Sequence, residues 1–108
     1  MKKPLKIYVA GPYRANNAEE IKNNIARADA IAKELALLGH TPFVPHTMID
    51  PWQNDSRFSF EKIMELDSEW LKVCDALFYV SPSTGADQEM EYAKKFGLLI
   101  FTSLEELK

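Results

Sequence analysis

Residues 6–15 read KIYVAGPYRA, and this stretch decides the fold class. It contains a short apolar run that ends at Gly11-Pro12, which is typical of a buried β-strand followed by a turn. Three further short runs have the same character: HTPFVP at 40–45, DALFYV at 75–80 and LLIFTS at 98–103. The sequence therefore predicts four strands, the first of which spans residues 5–10.

Helical periodicity separates these strands. Apolar residues recur every three or four positions between Asn16 and Gly39, and Glu19 has the spacing of an acidic capping partner for Asn16. A second helix is predicted to begin near Ser59, and a third follows the loop SPSTG and ends at Gly97. The tail LEELK is predicted to form a last helical turn.

Strands that are apolar throughout and alternate with helices predict a parallel sheet covered on both faces. The expected fold is a small doubly wound α/β sheet, Rossmann-like or flavodoxin-like, with four to five strands. Ligands of such sheets bind outside the carboxyl ends of the strands. Three segments are predicted to lie at that edge: Gly11–Asn16, Pro45–Asp55 and Ser81–Gly85.

Length and composition predict a single domain that spans residues 1–108. The 13 Lys and Arg and the 16 Asp and Glu give a net charge of −3. This charge gives no indication of a basic surface that would bind a nucleic acid polymer or an anionic membrane. We therefore expect a small-molecule partner. The basic start lacks a signal-like apolar run, so we also expect a cytoplasmic location. His40 and His46 lack metal-ligand spacing, so neither a metal nor a cofactor is predicted.

Two acidic residues stand on helical faces that are otherwise apolar. Asp67 shares its face with Phe60, Ile63, Trp70 and Cys74, and Glu89 shares its face with Ala86 and Ala93. A buried carboxylate is costly unless it is paired or used, and two of them at one strand end suit acid, base or nucleophilic chemistry at an acetal-like carbon. In the alternative interpretation, Asp67 lies at the solvent-exposed edge of its apolar helix face, and Glu89 only interacts favourably with the helix dipole.

The predicted loops offer groups that suit a sugar, a phosphate or a base. SPSTG, residues 81–85, presents hydroxyls and the backbone amides of a helix start, although an ordinary helix cap has the same composition. Arg14 follows Gly11 and Pro12 to the same edge, unless GPYR is only a turn. Residues 46–59 are predicted to form a loop or lid, in which Trp52 either stacks on a base or is a buried anchor of the loop.

Three segments together resemble the nucleoside 2-deoxyribosyltransferase family, which includes the 2'-deoxynucleoside 5'-phosphate N-hydrolases. They are IYVAGPYR at 7–14, LDSEWLKVCDALFYV at 66–80 and PSTGADQEMEYA at 82–93, and the match runs from the first strand to the fourth. The resemblance implies that Glu89 is the nucleophile, Asp67 a second catalytic acid and Tyr8 a partner of the nucleophile. It also implies substrate-binding positions at Gly11, Arg14, Ser83 and Gly85.

One departure concerns the phosphate. The phosphate-recognising branch of the family has a serine after the glycine of the first loop, and this chain has Pro12 there. The predicted function is cleavage of the N-glycosidic bond of a nucleoside or its 5'-monophosphate, by transfer or by hydrolysis. A non-catalytic nucleotide-binding module is the alternative. So short a chain covers its sheet poorly and the resembled family forms sites at dimer interfaces, so a homodimer or higher homo-oligomer is expected.

Overall fold

The computed structural model describes residues 3–108, so the first two residues of the predicted domain lie outside the described part. Its centre is a four-stranded sheet in which every pairing is parallel, with the order β2-β1-β3-β4. The α/β class and the parallel sheet predicted from the sequence are confirmed. The strands are β1 (Lys6–Ala10), β2 (Thr41–Phe43), β3 (Ala76–Tyr79) and β4 (Leu99–Phe101).

In residues 3–108, four α-helices connect and cover the strands: α1 (Ala18–Leu37), α2 (Pro45–Ile49), α3 (Phe60–Val73) and α4 (Thr84–Lys95). The predicted tail turn is present as a 3₁₀-helix, Leu104–Leu107. The glycines that end α1 and α4 have positive φ values, +96° at Gly39 and +78° at Gly97, which glycine adopts without steric cost. Within the described residues, no helix is long and apolar enough to span a membrane.

Helix boundaries differ from the prediction at two places. The side chain of Asn17, not Asn16, accepts a hydrogen bond from the backbone N–H of Glu20, so α1 begins one residue later than predicted. Residues 46–59 are not all loop, because α2 and a 3₁₀-helix, Asp50–Trp52, occupy the first half. A proline in the first turn favours both short helices, Pro45 at N1 of α2 and Pro51 at N2 of the 3₁₀-helix, since its φ is already helical.

Side chains alternate between the two faces of the sheet, and each face has its own core. On one face, Ile7 and Val9 of β1 pack with α1 and the C-terminal turn. On the other face, Tyr8 and Ala10 pack with α3 and α4. Helices therefore cover both faces, as the doubly wound prediction requires.

The inward face of α3 differs in part from the predicted stripe. Ile63 and Asp67 are buried as expected, but Trp70 is 44% exposed and Leu71 is fully buried in its place. Trp70 instead stacks on Phe43 of β2, with ring centroids 4.7 Å apart. After Asp67, the buried face of α3 therefore continues at Leu71 and not at Trp70 as predicted.

The sheet order places a topological switch between β1 and β3. The chain leaves β1 toward α1 on one face and leaves β3 toward α4 on the other. Neighbouring strands whose connections depart to opposite faces leave a crevice at their carboxyl ends, where ligands of open α/β sheets bind.

Candidate active site

A cavity of about 340 Å³ opens at this crevice. Each of the three predicted edge segments contributes lining residues: Gly11, Tyr13 and Arg14 after β1, Pro45, His46 and Ile49 after β2, and Ser83, Thr84 and Gly85 after β3. Helices α3 and α4 supply the remaining wall, including Asp67 and Glu89. The volume is at the lower end of the range for small-molecule sites.

Glu89 lies in the second turn of α4 and points inward, with 5% of its surface exposed. Tyr8 of the central strand β1 is fully buried. The hydroxyl of Tyr8 donates a short hydrogen bond to Oε2 of Glu89. The strand and the helix therefore fix the orientation of this carboxyl group from two sides.

Asp67 faces the same wall from α3 and is 3% exposed. Its Oδ1 atom is buried and has no hydrogen-bond partner among the described residues. A buried acceptor without a partner is costly, and in native proteins such atoms often belong to catalytic groups.

The environment raises the pKa values of both acids. Burial raises the pKa of Glu89 well above its ordinary value, hydrogen bonding and charge from Asp67 raise it further, and the Tyr8 hydroxyl opposes the shift. Burial also raises the pKa of Asp67, with hydrogen bonding to Glu89 and Tyr8 acting in the opposite direction. Burial, followed by the nearby acids, raises the pKa of Tyr8 well above 10, so its hydroxyl remains a neutral donor.

Four other predicted site residues line the cavity: Gly11, Arg14, Ser83 and Gly85. A Cβ at Gly11 would lie only 3.0 Å from the Cβ of Val80, so glycine permits the first loop to pass close to the end of β3. The guanidinium of Arg14 lies 5.9 Å from the centre of the Phe60 ring. Ser83 caps α4, because its hydroxyl accepts a hydrogen bond of 3.0 Å from the backbone N–H of Ala86.

Trp52 is not among the cavity-lining residues. It stacks on Phe58 within its own segment, with ring centroids 4.8 Å apart. The Asp50 carboxylate nearby accepts a hydrogen bond of 2.7 Å from the Tyr13 hydroxyl. Trp52 is partly buried by this packing, and its base-stacking role stays a prediction.

Sequence reasoning missed His46, which is 2% exposed and lines the cavity. Its Nε2 lies 3.1 Å from the carbonyl oxygens of both Gly11 and Pro12, so it links the turn after β1 to α2. The available signal was its position directly after a strand, at the ligand-binding edge. No group of three or more His, Cys, Asp and Glu side chains in residues 3–108 is arranged to hold a metal ion.

Another part of the cavity wall is apolar. Its residues come from α2 and α3, and they are Ile49, Phe60, Ile63 and Met64. They line the cavity together with the two acids. A mainly apolar lining with a few polar groups is usual for small-molecule sites.

A family model described as "Domain of unknown function (DUF7768)" matches residues 5–102. The chain belongs to this family. No curated protein matches its sequence significantly. Among solved structures, the chain is similar to a 2-deoxyribosyltransferase from the psychrotolerant bacterium Bacillus psychrosaccharolyticus, at 28% sequence identity and a TM-score of 0.63. That match covers 88% of this chain and 69% of the other, which is described as a biocatalyst for the synthesis of antiviral and antitumoral nucleosides.

Proposed function

We propose that this protein cleaves the N-glycosidic bond of a deoxynucleoside or deoxynucleoside 5'-monophosphate, as a deoxyribosyltransferase or an N-hydrolase. The arrangement of Tyr8, Glu89 and Asp67 at one cavity supports the proposal most directly. Cleavage of this bond passes through an oxocarbenium-like state, which a nearby carboxylate stabilises or captures. The similarity to a 2-deoxyribosyltransferase supports the same chemistry.

The raised pKa values suggest how the acids divide their roles. Burial raises the pKa of both acids, so we infer that the pair shares a proton in the free protein. Transfer of this proton to Asp67 leaves Glu89 ionised as the nucleophile and Asp67 neutral as the acid. The Tyr8 hydroxyl then stabilises the new charge on Glu89.

The first chemical step breaks the bond between the anomeric carbon and the base nitrogen. Asp67 donates its proton to the departing base, and a Glu89 oxygen forms an ester with the anomeric carbon. In the second step, water or an acceptor base attacks that carbon and gives its proton to Asp67, while Glu89 leaves as the carboxylate. The proton count is restored at the end of the cycle.

The sugar end of the ligand has candidate contacts at the rim. Arg14 carries a positive charge, and Ser83 with the first turn of α4 offers a hydroxyl and backbone amides. These groups suit the 5'-hydroxyl or a 5'-phosphate. Pro12 removes a hydroxyl that a serine would supply, so nucleosides and their monophosphates are tested side by side.

The test is incubation of the purified protein with deoxynucleosides and their 5'-monophosphates, with and without a free acceptor base. We expect a free base, an exchanged nucleoside or both, separated by chromatography. Glu89→Gln is expected to abolish product formation. Glu91→Gln is the matched control, because Glu91 lies on the same helix but is exposed and pairs with Lys94 at 3.6 Å.

Three outcomes of this experiment would contradict parts of the proposed function. If no member of the panel yields free base or an exchanged nucleoside, the proposed reaction is wrong. Nucleotide binding that is seen by calorimetry without turnover, and that survives Glu89→Ala, would favour the non-catalytic binding module. Equal turnover by the parent and Glu89→Gln would instead show that the carboxylate roles are misassigned.

A further inference from the structure

Tyr13 is a residue of the cavity wall to which the proposed reaction assigns no role. It follows the turn after β1, lines the cavity and is only half-buried, so a bound molecule can touch its ring. Its hydroxyl donates a hydrogen bond of 2.7 Å to Oδ1 of Asp50. Burial, with Asp50 acting in the same direction, raises the pKa of Tyr13 above its usual value of 10, so the hydroxyl remains a neutral donor.

Two further contacts hold the first part of Tyr13. Its carbonyl oxygen accepts a hydrogen bond of 3.1 Å from the side-chain amide of Asn24 on α1. Its ring meets the His46 ring edge-on, with 6.1 Å between the centroids. The hydrogen bond to Asp50 then fixes the far end of the side chain. Together these contacts set the direction in which the Tyr13 ring faces the cavity.

Asp50 itself lies outside the cavity. It is the residue at which α2 passes into the 3₁₀-helix, and it is not among the residues that line the cavity. It lines a separate groove between α1 and its own segment. Its second partner, the exposed Gln53 at 3.4 Å, does not line the cavity either. The side-chain contact that connects Asp50 to the cavity is therefore the one with Tyr13.

We propose that Asp50 is a positioning residue, which holds the Tyr13 ring in place as a wall against which the bound ligand packs. The inference rests on the proposed function for the class of ligand, a deoxynucleoside or its 5'-monophosphate. An aromatic ring offers a large contact area to the apolar faces of such a ligand. A side chain that is ordered before the ligand arrives loses less rotamer freedom on binding, so the hydrogen bond increases affinity without touching the ligand.

Four variants separate this role from a change in stability. Asp50→Leu removes the acceptor at similar volume, and Asp50→Asn keeps an oxygen that accepts from Tyr13. Tyr13→Phe keeps the ring and removes the donor. Asp55→Leu is the matched control, because Asp55 belongs to the same segment but pairs, at 2.6 Å, with Arg57, which does not line the cavity.

The test measures dissociation constants by calorimetry for the same deoxynucleosides and 5'-monophosphates. Asp50→Leu and Tyr13→Phe are each expected to weaken binding about two- to tenfold. The double variant should weaken it no further, because both substitutions break the same hydrogen bond. Asp50→Asn and Asp55→Leu should keep the affinity of the parent protein.

Steady-state kinetics separate positioning from a structural role. Because the wall contacts the substrate and the transition state alike, Asp50→Leu is expected to raise KM by the same factor and to leave kcat unchanged. A purely structural role would lower kcat through the fraction of folded protein and leave KM unchanged. A fall in kcat at constant KM in Asp50→Leu would therefore overturn the inference.

A second readout needs no ligand. The Cζ carbon signal of ¹³C-labelled Tyr13, identified by its loss in Tyr13→Phe, reports hydrogen bonding of the hydroxyl. This signal is expected to shift in Asp50→Leu and to stay in place in Asp55→Leu. An unchanged signal in Asp50→Leu would overturn the inference, as would equal ligand affinity of Asp50→Leu and the parent protein.

The outcomes for the reaction and for Asp50 are distinguishable. Ligand binding that depends on Asp50, without any turnover in the parent protein, would support this inference and contradict the proposed reaction. Turnover with the same KM in the parent protein and in Asp50→Leu would support the reaction and overturn the inference. Absence of binding by every deoxynucleoside and monophosphate would overturn both.

Discussion

The hydrogen bond from Tyr8 to Glu89 bears on when Glu89 is ionised. Glu89 is buried beside a second acid, and both conditions favour its neutral form. The Tyr8 hydroxyl lowers the pKa of Glu89, because it stabilises the carboxylate more than the carboxylic acid. A nucleophilic role for Glu89 therefore depends on a residue of another element.

We expect Tyr8→Phe to shift the acid limb of the pH–rate profile to higher pH, because the pKa of Glu89 rises further without the donor. A hydrogen bond to a charged acceptor is worth about 1.5–3 kcal/mol, so turnover should fall about 10- to 100-fold. Tyr79→Phe is the control, because the Tyr79 hydroxyl donates a hydrogen bond to Asp87, which lies on α4 like Glu89 but at the surface. An acid limb that does not move in Tyr8→Phe would show that Glu89 is not the titrating base.

The same burial makes the stability of the protein depend on pH. The carboxyl of Glu89 loses its proton near pH 4.5 in the unfolded chain and at a higher pH in the folded one. Between these two values the unfolded state binds fewer protons, so stability falls as pH rises through this window. The raised pKa of Asp67 acts in the same direction.

Glu89→Gln is therefore expected to be more stable than the parent at pH 7–8, because glutamine resembles the protonated acid and does not titrate. The difference should shrink toward pH 4, where the parent is protonated as well. Thermal melts measure it, and each ~1 kcal/mol corresponds to about 4–8 °C for a small domain. Equal melting temperatures of the two proteins at pH 8 would contradict the assigned shift, and exposed Glu91→Gln shows the effect of the charge alone.

At the scale of elements, two serine caps hold the helices that present the acids. Ser83 begins α4 and lines the cavity, while Ser59 begins α3 and accepts from the backbone N–H of Lys62 at 3.1 Å outside the cavity lining. Both are ordinary N-caps, so replacement by alanine should cost about 1 kcal/mol of stability at either position. Their effect on ligand binding should differ.

We expect Ser83→Ala to weaken binding of a deoxynucleoside or its monophosphate several-fold beyond its effect on stability, and Ser59→Ala to leave the affinity unchanged. Denaturant unfolding and calorimetry on the two variants measure both quantities. Equal losses of affinity would mean that Ser83 acts only through the stability of its helix.

The elements themselves were largely predictable, because their signals are local. The four apolar runs, the cap at Ser59 and the glycines after α1 and α4 each mark a boundary by backbone chemistry alone. Helix α2 was not predicted, because five residues are too few to show a period. The partial exposure of Trp70 on α3 was not predicted, because its ring packs against Phe43, which lies far away in sequence.

The segments that follow the strands could be predicted as part of the site, because ligands of this fold class bind at the carboxyl ends of the strands. Individual side chains whose contact with the cavity depends on their rotamer could not be predicted. The three segments after the strands line the cavity, since the fold class alone places them together. The inward positions of Asp67 and Glu89 followed from helical spacing. The position of Trp52 outside the cavity lining and the missed His46 share a cause, because a short segment with no period gives no indication of which side chains face the cavity.

At the scale of the whole molecule, the apolar surface is not fully covered. Trp70 is 44% exposed and Val73 is 59% exposed, one turn apart at the end of α3, and the Trp70 ring continues onto Phe43. Aromatic residues are enriched in protein interfaces, and a patch of this kind on a short chain favours association. Leu37, 82% exposed at the far end of α1, is a separate apolar residue.

We therefore expect a homodimer in which the surface around Trp70 and Val73 is buried. Light scattering at working concentration should give about twice the chain mass of 12.3 kDa. Val73→Glu places a charge in that surface, and burying an unpaired charge costs enough to shift the equilibrium toward the monomer. Leu37→Glu makes the same kind of change at an exposed helix end and should leave the dimer intact. A monomeric parent protein would refute the assembly, and a dimer lost through Leu37→Glu but retained in Val73→Glu would place the interface at the end of α1 instead.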